Sequence, residues 1–311
     1  MTFATSPSTP SASTMDEYAF PSHRLSRALT DPSKTPLVLV ACGSFSPITH
    51  MHLRMFEMAV DHVRQNMSDE YEVVAGYMSP VSDRYNKAGL ASATHRLRMC
   101  ELACDQTSDW IMVDPWEAIQ PEYQPTALVL DHVAHEVNDV IGGIAPYEGA
   151  PRSEYRRAHV SLLSGSDLLQ TMSQPGVWSI PDLDHILSGY GIFVVERSGS
   201  AVHDALAPLK EWSNDLGKDW LENIHVIRQL IANDISSTGI RQFLRQGMSV
   251  HYLLPACVIE YIREHGLYRE VEEGKEKRSS SMPPLSRKGK EKERQKAVKE
   301  MVAAAGASRK E

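Results

Sequence analysis

An unbroken apolar run near the start of the chain constrains the fold most. Residues 37–42, LVLVAC, end at Gly43 without the alternation of polar and apolar residues that a half-exposed strand shows. A strand buried on both faces, as in a parallel sheet, has this pattern. Similar runs recur along the chain and predict further strands at 71–79, 110–113, 160–163, 190–196 and 224–227.

Helical patterns lie between these strands, at 52–65, 94–105, 126–138, 182–187, 237–246 and 255–265. Strands that alternate with helices predict an α/β fold, here a Rossmann-like, open, mostly parallel sheet with helices on both faces. Ligands of such sheets bind beyond the carboxyl ends of the strands. Polar segments that directly follow a strand are therefore the first candidates for a functional site.

Composition divides the chain into three parts. Residues 1–33 are rich in Ser, Thr and Pro and predict a disordered arm. Residues 34–271 predict one large domain, of a length within the usual range. Within it, residues 139–157 are rich in Gly and Pro and predict a loop or a disordered insertion. Residues 272–311 hold 12 Lys or Arg against 7 Asp or Glu and predict a charged, disordered tail.

Charge and cysteine usage exclude several classes of protein. The formal net charge of -8 argues against a general nucleic-acid binder, and no apolar run approaches the roughly 18 residues that span a bilayer. The four cysteines form neither a CxxC pair nor a zinc spacing, so Cys100 and Cys104 are expected to pack in the core of a reduced protein. We expect a cytoplasmic or nuclear location; the basic tail fits either a nuclear signal or a solvated charge run.

The segment Gly43–His52, GSFSPITHMH, follows the first strand and leads into a helix. A glycine there allows a tight turn and close approach of a phosphate to the main chain. The helix N-terminus adds free N–H groups and partial positive charge, and Thr49, His50 and His52 add possible donors. The alternative is a strand-to-helix turn capped by Thr49 with two surface histidines. The segment is neither a Walker A loop nor a GxGxxG fingerprint.

A second segment, NDISSTGIR at residues 233–241, follows another predicted strand. Ser236 and Ser237 are favourable N-cap residues for the next helix. Their hydroxyls, free amide groups and Arg241 would converge on one anionic group, which a guanidinium can bind with two hydrogen bonds. A plain helix cap, which needs only one serine, is the alternative.

The two segments together resemble the GxFxPxHxxH and ISSTxxR signatures of the nucleotidyltransferase superfamily. The blocks SPVSDRYNKAGL, DPWEAIQ, LLSGSDLL and IANDISSTGIRQFLRQG are similar to those of eukaryotic nicotinamide/nicotinic acid mononucleotide adenylyltransferases. The resemblance extends, with gaps, from about Val38 to Tyr268 and excludes both tails and most of residues 135–158. It implies an enzyme that transfers AMP from ATP to either mononucleotide and releases pyrophosphate.

The resemblance also implies roles for individual residues. The catalytic residues would be His52, Lys87 and Arg241. ATP would be bound by Gly43, Ser44, Phe45, Thr49, His52, Gly165, Asp167, Ser236, Ser237, Thr238 and Arg241. The mononucleotide would be bound by Ser44, Phe45, Lys87, Tyr123, Thr126 and Trp178, with Trp178 stacking on the pyridine ring. Two departures from the family pattern are His50, where Asn is expected, and Tyr123, where Trp is expected; both bear on substrate preference.

Several expectations about mechanism and partners follow from the resemblance. Transfer would be direct, since no side chain in the motifs is placed as a nucleophile, and Mg²⁺ would be held mainly by the substrate phosphates rather than by a protein site. Homo-oligomerisation is expected, whereas nucleic-acid and membrane partners are not. Preference between the amide and the acid mononucleotide stays open.

Two alternative functions stay open at this point. One is another adenylyl- or cytidylyltransferase, acting on phosphopantetheine or a phosphoalcohol, which would not need a pyridine-stacking aromatic at Trp178. The other is a noncatalytic, chaperone-like or scaffold protein that retains the fold. The intact polar sets at Thr49 and His52, at Asp167, and at Ser236–Arg241 argue against the second.

Overall fold

The first strand, β1 (Thr35–Gly43), lies inside a six-stranded sheet in the computed structural model. The other strands are β2 (Tyr71–Pro80), β3 (Ile111–Val113), β4 (His159–Gly165), β5 (Ile192–Val195) and β6 (Ile224–Ile227). All neighbouring pairs are parallel, in the order β3-β2-β1-β4-β5-β6. The predicted Rossmann-like parallel sheet is thereby confirmed.

Nine α-helices connect or follow these strands in the described residues. They are α1 (His50–Asn66), α2 (Ala93–Thr107), α3 (Trp116–Ile119), α4 (Thr126–His135), α5 (Ser166–Met172), α6 (Ile180–Asp184), α7 (Val202–Asp215), α8 (Ser237–Arg245) and α9 (Ala256–Glu264). A π-helical turn continues α4 over Glu136–Val140 and another continues α6 over His185–Tyr190; short 3-10 turns lie at Arg152–Glu154 and Trp220–Asn223.

The side chains of β1 alternate between two cores, one on each face of the sheet. Leu37 and Leu39 pack with α1, α2 and α9, whereas Val38 and Val40 pack with α4, α5 and α7. All four are fully buried. Because both faces are covered, every position of the strand must be apolar, which is the pattern seen in the sequence. Cys100 and Cys104 are buried on the α2 face, as expected.

The structure describes residues 18–85, 87–197 and 202–269, so the predicted tail over 272–311 and the first half of the predicted arm lie outside the described residues. The second half of the arm corrects the prediction. Residues 18–33, which we call the N-terminal strap, pack against the sheet through buried Leu25 and Leu29. These two apolar residues are too sparse to give a periodic pattern, which is why the sequence suggested disorder.

Residues 139–157 form an ordered loop, so the alternative of a disordered insertion is wrong. Ile144 is fully buried and exchanges two backbone hydrogen bonds with Arg156, each of 2.9 Å. Ala145 exchanges another two with the strap, at Arg27 and Leu29. The loop and the strap therefore satisfy each other's backbone groups, which neither segment's sequence could indicate alone.

Three helices, α3, α5 and α7, were not predicted from the sequence. The helix α7 contains Pro208, a residue that normally interrupts a helical pattern because it lacks an N–H group. The helix α5 follows β4 without an intervening loop and has only seven residues, so its apolar residues Leu168, Leu169 and Met172 are too few to give a helical pattern. Tertiary packing against the sheet supplies the stability that local sequence does not show.

We predict that Leu29→Ala lowers the free energy of unfolding by about 2–5 kcal/mol, because it empties a buried site under the strap. The measurement is urea unfolding at equilibrium. Leu230→Ala is the matched control, since Leu230 is 95% exposed and its truncation should change stability by no more than about 0.5 kcal/mol. Equal, negligible effects of both substitutions would show that the strap does not dock.

Candidate active site

The sheet changes direction of winding between β1 and β4. From β1 the chain moves to β2 and β3 on one side, and later to β4, β5 and β6 on the other. The connecting loops separate at this point, which opens a crevice beyond the carboxyl ends of the two strands. A cavity of about 300 Å³ lies there and includes six of the predicted site residues, namely Gly43, Ser44, Phe45, His52, Gly165 and Asp167.

The turn after β1 has a strained backbone. Phe45 adopts φ +42°, a left-handed conformation that is costly for a residue with a side chain and is concentrated at functional sites. Its buried ring lies over Gly43, where an added Cβ would sit 3.2 Å from the ring. A side chain at residue 43 would therefore require the Phe45 ring to shift by a few tenths of an ångström, and the backbone of Gly43 and Ser44 stays open to the cavity.

His52 is held in one tautomer by Thr49 at the start of α1. The backbone N–H of Thr49 lies 3.0 Å from Nδ1 of His52, and the Thr49 hydroxyl lies 2.9 Å from the same nitrogen. Because a backbone N–H can only donate, Nδ1 is the acceptor and the ring proton resides on Nε2. Burial, with a smaller effect of Arg197, lowers the pKa of His52 to about 4. At neutral pH His52 is an uncharged donor in the cavity wall.

The second signature segment meets the first through side-chain contacts with its backbone. The Ser237 hydroxyl donates to the Pro47 carbonyl at 2.8 Å, and Arg241 Nη1 donates to the Ser46 carbonyl at 2.8 Å. Ser236, rather than Ser237, caps α8 by accepting from the Gly239 N–H at 3.2 Å. Two segments some 190 residues apart thus form one structure.

Arg241 is 6% exposed and lies beneath the loop rather than in the cavity wall. Its Nη2 lies 3.4 Å from the Thr238 hydroxyl, and its Nε has no hydrogen-bond partner within the described residues. One donor of the guanidinium is therefore buried without a partner in that part of the chain. Its predicted role in triphosphate binding, like those of Ser236, Ser237 and Thr238, stays a prediction.

Arg96 of α2 was missed by sequence reasoning. It is fully buried and donates to the carbonyl oxygens of Ser44, Val81 and Ala91 at 3.1, 2.6 and 2.9 Å. These carbonyls belong to loops that have no strand partner. The guanidinium therefore fixes the turn after β1 and the loop after β2 relative to each other, and nothing in its helical surroundings in the sequence indicates this.

Arg197 was also missed. It follows β5, lines the cavity and donates to the Asp167 carboxylate at 2.8 Å and to the Ile235 carbonyl at 3.3 Å. Its place directly after a predicted strand was the available signal, because ligands gather at the carboxyl ends of strands. The pair gives the cavity one cation and one carboxylate in close contact.

The remaining predicted mononucleotide residues do not line this cavity. Trp178 donates from Nε1 to the hydroxyl of Thr171 at 3.1 Å, and Thr171 lines the cavity. Tyr123 stacks on Tyr85 with 6.0 Å between ring centroids. Thr126 is the first residue of α4, and the Lys87 side chain is exposed on the loop after β2. The structure thus leaves the roles of Lys87, Tyr123, Thr126 and Trp178 as predictions.

Within the described ranges, no group of three or more His, Cys, Asp or Glu side chains is arranged to hold a metal ion. The same residues contain no helix long and apolar enough to cross a membrane.

Comparisons with known proteins agree with this geometry. The family model described as "Cytidylyltransferase-like" matches residues 40–243. The chain is 54% identical over 257 residues to nicotinamide/nicotinic acid mononucleotide adenylyltransferase 1 of Saccharomyces cerevisiae, covering 83% of this chain and 61% of the relative. It is 41% identical over 251 residues to the Arabidopsis thaliana protein of the same description, covering 81% and 98%. This chain therefore spans only about three fifths of the length of the budding-yeast relative.

Among solved structures, the chain is similar to "Plasmodium falciparum nicotinic acid mononucleotide adenylyltransferase complexed with NaAD". The TM-score is 0.50 at 18% identity, and the match covers 75% of this chain and 97% of that one. At this identity the likeness concerns the fold alone. It supports the Rossmann-like architecture described above.

We predict that His52 titrates near pH 4 and is the neutral, Nε2-protonated tautomer at pH 7, because burial disfavours the charged ring and Thr49 occupies Nδ1. Two-dimensional NMR of ¹⁵N-labelled imidazole rings, followed from pH 7 to pH 4, measures both properties. His50 is exposed and is the internal comparison. A His52 signal that titrates above pH 6, or that carries its proton on Nδ1, would contradict this description of the site.

Proposed function

We propose a function from the family to which the chain belongs, the cytidylyltransferase-like family, and within it the group of nicotinamide/nicotinic acid mononucleotide adenylyltransferases. On this basis we propose that it transfers AMP from ATP to nicotinamide mononucleotide, nicotinic acid mononucleotide or both. The products are then NAD or its deamido form, together with pyrophosphate. The cavity at the winding change carries this proposal, because it combines a glycine turn, a neutral histidine donor and the Gly165–Asp167 pair at one point.

The proposed reaction is direct. A 5'-phosphate oxygen of the mononucleotide attacks the α-phosphorus of ATP, a new O–P bond forms, and the bond to the pyrophosphate oxygen breaks as pyrophosphate leaves. Alignment of two anionic reactants and stabilisation of charge on the phosphates are the main requirements. His52 suits the second task because its Nε2–H donates without a proton having to leave or enter the ring.

The backbone that receives the phosphates is built in advance. Arg96 holds the Ser44 carbonyl and Arg241 holds the Ser46 carbonyl, so the turn after β1 has little freedom to change on ligand binding. The N-terminus of α1 follows at once and adds partial positive charge. Lys87 and the free Nε of Arg241 supply further positive charge in our proposal.

Magnesium is proposed as the cation that accompanies ATP. It would be held through the substrate phosphates and water, since the described residues offer no cluster of carboxylate or histidine ligands. When bound, Mg²⁺ neutralises part of the charge on the phosphates. In our proposal His52, Lys87 and Arg241 stabilise the remaining charge. Homo-oligomerisation, the lack of a nucleic-acid partner and a cytoplasmic or nuclear location stay predictions.

We predict that the purified protein with ATP and Mg²⁺ forms dinucleotide from at least one of the two mononucleotides, measured by chromatography of the products. Phosphopantetheine in place of the mononucleotide should give no product, because the chain belongs to a group of enzymes named for pyridine mononucleotides. Failure with both mononucleotides would disprove the proposed function. Turnover of phosphopantetheine alone would instead identify the other transferase considered above.

We predict that His52→Ala lowers kcat by about 100- to 1000-fold, the usual effect of removing one donor to charge that develops in the transition state. His50→Ala is the matched control, because His50 is a neighbouring but exposed imidazole, and its kcat should change by less than about twofold. Thermal unfolding with and without ATP shows whether each variant still folds and binds. Unchanged turnover in His52→Ala would remove this residue from the mechanism while leaving the fold assignment intact.

A further inference from the structure

A buried carboxyl group lies beside the cavity and has no part in the reaction described so far. Glu117, in α3, is 2% exposed, although an isolated buried carboxylate is costly. Its Oε2 accepts a hydrogen bond of 2.6 Å from the Ser79 hydroxyl, and its Oε1 has no hydrogen-bond partner among the described residues. The hydrogen bond thus holds Oε2 in place and leaves Oε1 without a partner among these residues.

The strand register places this group next to the cavity wall. Ser79 of β2 pairs directly with Cys42 of β1, so the two side chains point to the same face of the sheet. Cys42 lines the cavity. Ser79, which holds Glu117 in place, therefore lies about one strand spacing, roughly 5 Å, from a residue of the cavity wall.

The electrostatic effects of Glu117 on its neighbours agree with this position. Burial raises the pKa of the Cys42 thiol, and Glu117 is the next largest cause. Burial also raises the pKa of Tyr123, again with Glu117 as the next cause. Glu117 is thus close enough to interact electrostatically both with a cavity-lining residue and with a residue that the proposed function assigns to the mononucleotide.

The ionised and neutral forms of Glu117 are close in free energy near pH 7. Burial raises its pKa to about 7, while the Ser79 hydroxyl and, less strongly, the Arg96 guanidinium lower it and Asp114 raises it slightly. The titratable or charged groups facing it are Arg96 of α2, Asp114 after β3, Cys42 of β1 and Tyr123 before α4. A rise in pH from below to above this pKa therefore converts Oε1 from a hydrogen-bond donor into an acceptor.

We infer that Glu117 is a specificity-determining residue that selects between the amide and the acid mononucleotide through its free Oε1. This rests on the proposed function. An ionised Glu117 accepts a hydrogen bond from a carboxamide N–H and repels a pyridine carboxylate. A neutral Glu117 instead donates a hydrogen bond to the carboxylate. The ratio of kcat/KM for the amide to kcat/KM for the acid substrate must therefore rise with pH.

The ratio of the two kcat/KM values separates the titration of Glu117 from that of the substrate phosphates. Both substrates carry the same 5'-phosphate and meet the same ATP, so ionisation of those groups cancels. The pyridine carboxylate stays ionised from pH 6 to pH 8. We expect the ratio to rise about tenfold over this range, corresponding to one pKa unit of differential interaction.

The experiment measures kcat/KM for both mononucleotides at pH 6, 7 and 8, with KM for ATP as a second readout. Glu117→Gln keeps the shape of the side chain but cannot ionise, so its ratio should not change with pH and its KM for ATP should match that of the unsubstituted protein. Glu122→Gln is the matched control, because it removes an exposed carboxylate from the loop that follows α3 and should retain the tenfold rise.

A second variant covers the case in which Glu117→Gln does not fold. Ser79→Ala removes the hydrogen bond that favours the ionised form, so the midpoint of the pH dependence should move to higher pH. Dinucleotide formation with a ratio that is constant from pH 6 to pH 8, or with the same rise in Glu117→Gln, would overturn this inference alone. Absence of dinucleotide from both mononucleotides would overturn the proposed function and this inference together.

Discussion

Hydrogen bonds from two buried guanidinium groups to loop carbonyls are the interactions on which this site depends. Arg96 is fully buried and Arg241 nearly so, and each would be costly to bury without partners. The carbonyl oxygens of Ser44 and Ser46 in turn need hydrogen-bond donors, because these residues follow a strand and have no partner in the sheet. Each group satisfies the other, and the turn after β1 becomes a fixed surface rather than a flexible connection.

This fixed turn explains how the site can combine strain with order. Phe45 occupies a left-handed backbone conformation, which the surrounding contacts must enforce. Its ring then covers Gly43 and meets the ring of His52 edge-on at 5.2 Å. His52 is bound from the other side by Thr49, so its donor is oriented before any ligand arrives. Charge stabilisation by such oriented dipoles needs no reorganisation during the reaction, which suits phosphoryl transfer.

The two halves of the sheet divide the work of the proposed reaction. The β1–β4 crevice with His52, Asp167 and Arg197 forms the cavity, whereas Lys87 follows β2, and Glu117 and Tyr123 follow β3. The N-terminal strap packs against the segment after β3, since Tyr18 donates to Asp114 and lies 2.7 Å from His132, which stacks on Trp116. The strap, which looked like a disordered tail in the sequence, is thus part of the framework around that segment.

Much of the fold was predictable because its causes are local. Strands covered on both faces must be apolar throughout, and helices between parallel strands are a geometric necessity, so β1 and its neighbours could be identified from pattern alone. The helix α7 was not, because Pro208 interrupts the local signal that packing overrides. The strap was missed for a related reason: two buried leucines at residues 25 and 29 are decisive for docking but too few to make a pattern.

The sequence by itself determined the parallel sheet, the glycine turn after its first strand and the two signature segments, since each is written in adjacent residues. Only the tertiary structure decided that Arg96 fixes the turn after β1 and that Glu117 bonds to Ser79. Their partners lie far away in the chain, 52 residues for Arg96 and Ser44 and 38 for Glu117 and Ser79. A side chain's role in such a pair depends on which atoms folding brings within hydrogen-bond distance, and no local pattern of residues contains that information.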